Sequence, residues 1–145
     1  MKSSSPYQLR PAPPEAALSS PEFTAEDLED LREGVRLFNA GKYWDSHEAW
    51  EKIWQRHTEP WRFFVQGLIQ AAAAHHQIQR GIRHGAIKHL KNALAKLHTA
   101  PSDFGGLALD EFRRYLRALV VRIEASGERN WTEVQLQPMV SRHAV

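Results

Sequence analysis

The sequence contains no cysteine and no long apolar run, and its formal net charge is only +2. Without cysteine the chain forms neither disulfide bonds nor a thiolate nucleophile. No stretch approaches the ~20 apolar residues of a membrane-spanning helix, and the first residues lack the apolar core of a signal peptide. We therefore expect a cytoplasmic protein with no membrane partner. The small net charge gives no general attraction for nucleic acid, so we expect no nucleic-acid partner either.

The composition is that of an ordinary globular protein, with 145 residues, 42% hydrophobic and 25% charged. This length corresponds to one domain. Prolines cluster among serines and alanines in residues 1–22, which predicts a flexible arm. Residues 23–127 carry the helical periodicity of the domain. Residues 128–145 contain Pro138 and short apolar alternation, which predicts an extended C-terminal strap.

The most informative stretch covers residues 61–81, WRFFVQGLIQAAAAHHQIQRG. Its apolar side chains recur at helical steps of three and four on two neighbouring faces. A helix that is apolar on two faces must be enclosed by other helices rather than laid on a surface. Gly67 and four consecutive alanines keep this helix thin, so its neighbours can approach closely. We therefore predict a central buried helix.

Four further segments show helical periodicity. Thr24 and Asp27 form a capping-box pattern at the start of the first, and Gly41 is placed to end it. Pro60 separates the second from the central helix. The predicted helices other than the central one span residues of about 24–39, 43–57, 83–99 and 109–125. The fold class is therefore all-α, a compact bundle of about five helices.

A weak internal repeat relates two parts of the chain that lie 40 residues apart. Gly41 aligns with Gly81, and Trp50 aligns with Leu90. A turn glycine followed by large apolar residues is typical of the αα-hairpins of tetratricopeptide repeats. Two units are too few for a solenoid. We therefore predict two stacked αα-hairpins around the central helix, capped by the fifth helix.

Polar side chains interrupt the packed faces of the second and central helices. His47 occupies a position where leucine would be expected, and Glu51 lies four residues later on the same face. Glu51 could accept a hydrogen bond from one ring nitrogen, which is the arrangement of an oriented general base. His75 and His76 point about 100° apart, so we assign His76 to the polar pocket and His75 to the core. The predicted ligand-binding residues are Glu48, Trp54, Gln66, Gln70 and His76, and the predicted catalytic pair is His47 and Glu51.

Three hypotheses follow from these residues. In the first, the pocket binds or acts on a small polar ligand. In the second, the chain is a non-enzymatic interaction module that binds a protein partner or a second copy of itself, and the polar cluster is structural. In the third, His47, Glu51 and His76 hold a divalent metal ion as cofactor of a hydrolase. The zinc motif HExxH and the di-iron motif ExxH are both absent, and the sequence specifies neither the cofactor nor whether the protein is an enzyme.

The segments FNAGKYWDSHEAWEKIW and VQGLIQAAAAHHQIQRG resemble domain of unknown function 309, a family of small all-helical bacterial and archaeal proteins. The resemblance covers roughly residues 37–97. Ile82 departs from it, since the family often has asparagine after the turn glycine. The resemblance implies a helical bundle with a polar cluster between the second and third helices, and no activity. The positions that match its two motifs are His47, Glu48, Glu51 and Trp54, then Gln66, Gly67, Gln70 and His76.

Overall fold

A computed structural model describes residues 23–127 and 129–141. The predicted arm at residues 1–22 lies outside the described residues, as do residue 128 and the last four residues of the predicted strap. The described part contains five α-helices and no β-strand, which confirms the all-α prediction. A short 3-10 helix, Phe104–Gly106, precedes the last of them. The α-helices are α1 (Ala25–Asn39), α2 (Tyr43–Arg56), α3 (Arg62–Arg80), α4 (Arg83–Leu97) and α5 (Leu109–Ala125).

The first four helices form two hairpins, α1 with α2 and α3 with α4. Each hairpin turns at a glycine in the left-handed region, Gly41 at φ 78° and Gly81 at φ 72°. A side chain at such a φ is strained, so glycine is the residue that ends each helix without cost. Trp50 and Leu90 are buried at equivalent places in the two hairpins. The prediction of two stacked αα-hairpins is confirmed.

The helix α3 lies at the centre of the bundle. Its residues from Phe64 to His75 are all buried, and both α2 and α4 pack against it. Gly67 allows the close approach to α4, because a Cβ atom at this position would lie 2.7 Å from Cγ of Leu97. Because the glycine and alanine side chains of α3 are small, α2 and α4 can both pack closely against it.

A polar network ties the start of α1 to the end of α2. Thr24 and Asp27 form the predicted capping box, with each side chain accepting from the other's backbone N–H. Arg56 and His57 also donate to the Asp27 carboxylate, at 2.7 Å each. Burial pushes the pKa of Asp27 upward, but the hydrogen bonds from Thr24, Arg56 and His57 outweigh it and hold the pKa below its ordinary value.

The chain after α5 packs back against the helical bundle. Trp131 and Met139 are buried in the core. The side chain of Asn39 forms two hydrogen bonds with the backbone of Met139, donating to its oxygen at 3.0 Å and accepting from its N–H at 2.8 Å. This pair joins the end of α1 to the end of the described chain.

We expect Asn39→Ala to lower the free energy of unfolding by about 1–2 kcal/mol, because two neutral hydrogen bonds are lost together. Urea denaturation followed by circular dichroism measures this. Asn39→Asp keeps the acceptor for the Met139 N–H but places a carboxylate oxygen opposite the Met139 oxygen, so its loss should be at least as large. Unchanged stability of Asn39→Ala would show that these bonds do not hold the C-terminal segment in place.

Candidate functional site

Two glutamines on α3 form the base of the candidate site. Gln66 and Gln70 lie one helical turn apart, so their side chains share one face of α3. Their exposed fractions are 1% and 0%. Glutamine is rarely buried this completely, since its amide loses hydrogen bonds to water. Their partners must therefore come from the flanking helices or from outside the protein.

The helix α2 contributes His47, whose exposed fraction is 5%. Burial lowers its pKa, and nearby His76 lowers it further, while Glu51 and Glu48 act in the opposite direction. The imidazole is therefore neutral at about pH 7. We expected Glu51 to accept from a ring nitrogen, but Nδ1 of His47 has no hydrogen-bond partner among the described residues. Glu51 acts on His47 through its charge.

The helix α4 contributes His89, which the sequence analysis missed. Its Nδ1 lies 2.7 Å from Oε1 of Gln70, and an amide oxygen only accepts, so the ring donates. Burial lowers the pKa of His89, and Lys88 and His47 lower it further. The sequence does contain a signal for His89, a row of polar residues on α4. His89, Asn92 and Lys96 follow one another at steps of three and four, and Asn92 and Lys96 are buried.

The described site contains four buried polar atoms with no hydrogen-bond partner among the described residues. They belong to three side chains, each at least nine-tenths buried. Unpaired groups of this kind are uncommon in native proteins and call for an explanation. We call His47, Gln66, Gln70 and His89 the polar cluster. The unpartnered atoms are Nδ1 of His47, Oε1 and Nε2 of Gln66, and Nε2 of Gln70.

Trp44 covers one side of His47. The two rings are stacked at 4.6 Å between centroids and 9° between planes, and 47% of Trp44 is exposed. Trp44 also contacts the ring of His76, at 5.2 Å. The predicted pocket residue His76 therefore lies beside Trp44, at the outer side of the polar cluster.

Two other predicted site residues, Trp54 and Glu48, are not fully buried. Trp54 is half-buried, and the guanidinium of Arg62 lies 3.9 Å from the centroid of its ring. Glu48 is exposed on α2. The structure links Gln70 to His89 by a hydrogen bond, with His47 close enough for its charge to act on His89 and Gln66 one turn from Gln70 on α3.

The predicted metal site is not assembled. Within residues 23–127 and 129–141, no three His, Asp or Glu side chains lie close enough together to hold a metal ion. His47, Glu51 and His76 come from two helices, and Trp44 contacts the rings of both histidines. The geometry therefore gives no support to a metal-dependent hydrolase.

His75 is part of the core, on another face of α3. Its Nδ1–H donates to the oxygen of Ala71 and its Nε2 accepts from the hydroxyl of Tyr115, both at 2.7 Å. Complete burial lowers the pKa of His75 to about 4. The imidazole is thus a neutral, fully paired group that joins α3 to α5.

Three cavities of about 50–100 Å³ lie elsewhere on the molecule, beside α5 and beside α1. None of the predicted site residues lines them. The largest is formed by α5 with residues 134, 135 and 137 of the C-terminal segment. In the described part of the chain, no helix is both long and apolar enough to span a membrane.

Comparison with known proteins places the polar cluster inside a recognised domain. The family model for the domain of unknown function (DUF309) matches residues 31–89, which include every member of the polar cluster. An uncharacterized protein of Aquifex aeolicus (strain VF5) is 30% identical over 97 residues. This match covers 66% of the present chain but only 29% of the relative, so the chain spans less than a third of that protein. Residues 31–89 of this chain are therefore similar to the DUF309 family.

Proposed function

We propose that the chain binds a small polar ligand at the polar cluster between α2, α3 and α4. The observation that carries the proposal is the set of four buried atoms without partners among the described residues. A group entering from outside would supply the missing hydrogen bonds. The cluster then serves recognition rather than stability.

Unpaired polar groups in the buried cluster lower the stability of the free protein. Burying an amide or imidazole nitrogen without a partner costs about 1–3 kcal/mol in proteins. Apolar side chains of the same size would avoid this cost at Gln66 and Gln70. A polar cluster that lowers the stability of the free protein is typical of binding sites, because there is a trade-off between activity and stability.

His47 is the group in this site with the widest chemical range. Because burial lowers its pKa, the ring is neutral at about pH 7 and its free nitrogen can donate or accept. Glu51 opposes the lowering and would stabilise the ring if a proton arrived from the ligand. In this proposal His47 binds the ligand, and Glu51 influences the charge of the His47 ring. The same two residues would suffice for a general-base role.

A second candidate function is a helical interaction module that binds a protein partner or another copy of the chain. The observation in its favour is the exposure of Trp44 and Ile82 on a pair of stacked hairpins. Under this alternative the polar cluster would be structural. Removing one of its polar groups would then lower stability.

We expect Gln66→Met to raise the free energy of unfolding by about 1–3 kcal/mol, because it removes two unpartnered atoms and keeps the length of the side chain. Urea denaturation of the ligand-free protein measures this. Gln55→Met makes the same chemical change at an exposed position of α2 and should leave stability within about 0.5 kcal/mol.

Gln70→Met provides the matched comparison inside the cluster. It removes one unpartnered atom but also the acceptor of the His89 hydrogen bond, so it should stabilise less than Gln66→Met or destabilise. Lower stability of Gln66→Met would contradict the proposal. It would show that Gln66 is paired in solution and would favour the structural role.

A further inference from the structure

The unpartnered atoms specify which hydrogen bonds a ligand must form. Gln66 and Gln70 each present an amide nitrogen, which only donates, and Gln66 also presents an amide oxygen, which only accepts. Nδ1 of the neutral His47 can serve in either direction. A ligand that satisfies this set carries an acceptor for the two donors and an N–H for the Gln66 oxygen.

The mixed set of donors and acceptors matches a neutral group better than an ion of either sign. Glu48 and Glu51 are the carboxylates that act on His47, so an anion would meet like charge there. The cations on the α4 side are Lys88, an exposed residue next to His89, and the buried Lys96, whose ammonium lies 4.7 Å from the centroid of the Phe63 ring. A cation, in turn, would have the donors of Gln66 and Gln70 directed at it. A buried charge without a paired partner is costly, whereas a neutral group that both donates and accepts satisfies the cluster.

The aromatic cover adds a requirement of shape. Trp44 lies flat against His47 at one side of the cluster, yet almost half of its surface is exposed. Its side chain can therefore rotate outward without leaving a packed core. The flat face of His47 that it uncovers fits a planar group, which can stack there as Trp44 does.

We infer that the ligand is a small, uncharged, planar molecule with a carbonyl oxygen beside an N–H group, as in a carboxamide, a ureide or the edge of a pyrimidine base. This inference rests on the proposed function. It specifies the chemical class of the ligand. The geometry that carries it is the pair of amide donors and the one amide acceptor left without partners one helical turn apart on α3, together with the flat stacking surface of His47 on α2.

Three probes of the same shape and different charge test the inference. Acetamide is neutral, acetate is its anionic counterpart and acetamidinium is its cationic counterpart. Each is titrated into the full-length ¹⁵N-labelled protein while the side-chain NH₂ signals of Gln66 and Gln70 are followed by NMR. These signals are assigned from their loss in Gln66→Met and Gln70→Met. We expect saturable shifts with acetamide and at least about tenfold weaker binding of the two ions.

Methylurea and uracil distinguish the sources of the shared chemistry, and the tightest of the three neutral probes identifies the source. The inference is supported if any one of the three neutral probes binds saturably and more tightly than both ions. Tighter binding of acetate or acetamidinium would overturn it, as would the absence of saturable shifts with all three neutral probes. In Gln66→Met the shift of the Gln70 signal with the neutral probe should weaken about tenfold or more, while Gln55→Met should behave as the wild type.

The two proposals fail in different ways. If Gln66→Met is stabilised but an ion binds more tightly than the neutral probes, the site exists and the ligand class is wrong. If Gln66→Met is destabilised and no probe binds, the site itself is wrong.

Discussion

Gly34→Ala is expected to lower the free energy of unfolding by about 3 kcal/mol, at the upper end of overpacking costs. Alanine normally stabilises the interior of a helix relative to glycine by about 1 kcal/mol. The expected sign is reversed because Gly34 lies where α1 meets α2. A Cβ atom there would lie 2.1 Å from Nε1 of Trp50, well inside contact distance.

The surroundings of Gly34 leave little room for relaxation. Trp50 is fully buried, and its Nε1–H donates to the oxygen of Leu31 at 3.2 Å. The hydroxyl of Ser46 donates to the oxygen of Gly34 itself, at 2.8 Å. Moving the indole to admit a methyl group would therefore disturb two hydrogen bonds that join α1 to α2.

Thermal and urea denaturation measure the effect, with Gly127→Ala as the control. A Cβ atom at position 127 has 4.0 Å to its nearest neighbour, so that variant should keep the wild-type stability. Wild-type stability of Gly34→Ala would mean that α1 and α2 are less closely packed than described.

Acid should destabilise the protein by about 3 kcal/mol through His75 alone when the pH falls from about 7 to 4. The buried ring has its pKa lowered from 6.5 to about 4, because complete burial disfavours the charged form. Between these two values the unfolded chain binds the proton and the folded chain does not. Stability from this residue is therefore complete above the unfolded pKa and is lost as the pH falls toward the folded pKa.

His75→Gln isolates the contribution of this residue. Glutamine does not titrate, and its oxygen can still accept from the hydroxyl of Tyr115. The variant should be less stable at pH 7, since it loses the bond to Ala71. Its further loss between pH 7 and 4 should be smaller than that of the wild type by about 3 kcal/mol. Equal losses, measured by urea denaturation at the two pH values, would contradict the role of His75.

Most of the fold could be predicted because it depends on local patterns. The capping box at Thr24, the turn glycines at positions 41 and 81 and the two apolar faces of α3 each specify a feature within a few residues. These features fix where helices begin and end and which helix is enclosed. The hairpin arrangement then follows from short connections.

The composition of the candidate site could be predicted only in part. His47, Gln66 and Gln70 stand out because they interrupt apolar faces, and all three are buried in the structure. His89 did not stand out, because it lies between Lys88 and Lys91 in the sequence, and charged neighbours are typical of a solvated helix face. The distance that places it at Gln70 depends on the packing of α4 against α3. The stacking of Trp44 on His47 likewise depends on side-chain rotamers, which periodicity does not specify.

The contact between Asn39 and Met139 also bears on how the chain folds. Each of the first four helices packs against the next one along the chain, so these contacts close only short loops and can form early. Asn39 and Met139 are 100 residues apart, and closing a loop of that length has a larger entropic cost. We expect the hairpins to assemble in sequence order as synthesis proceeds. The last segment should bind α1 only after the whole bundle has emerged from the ribosome.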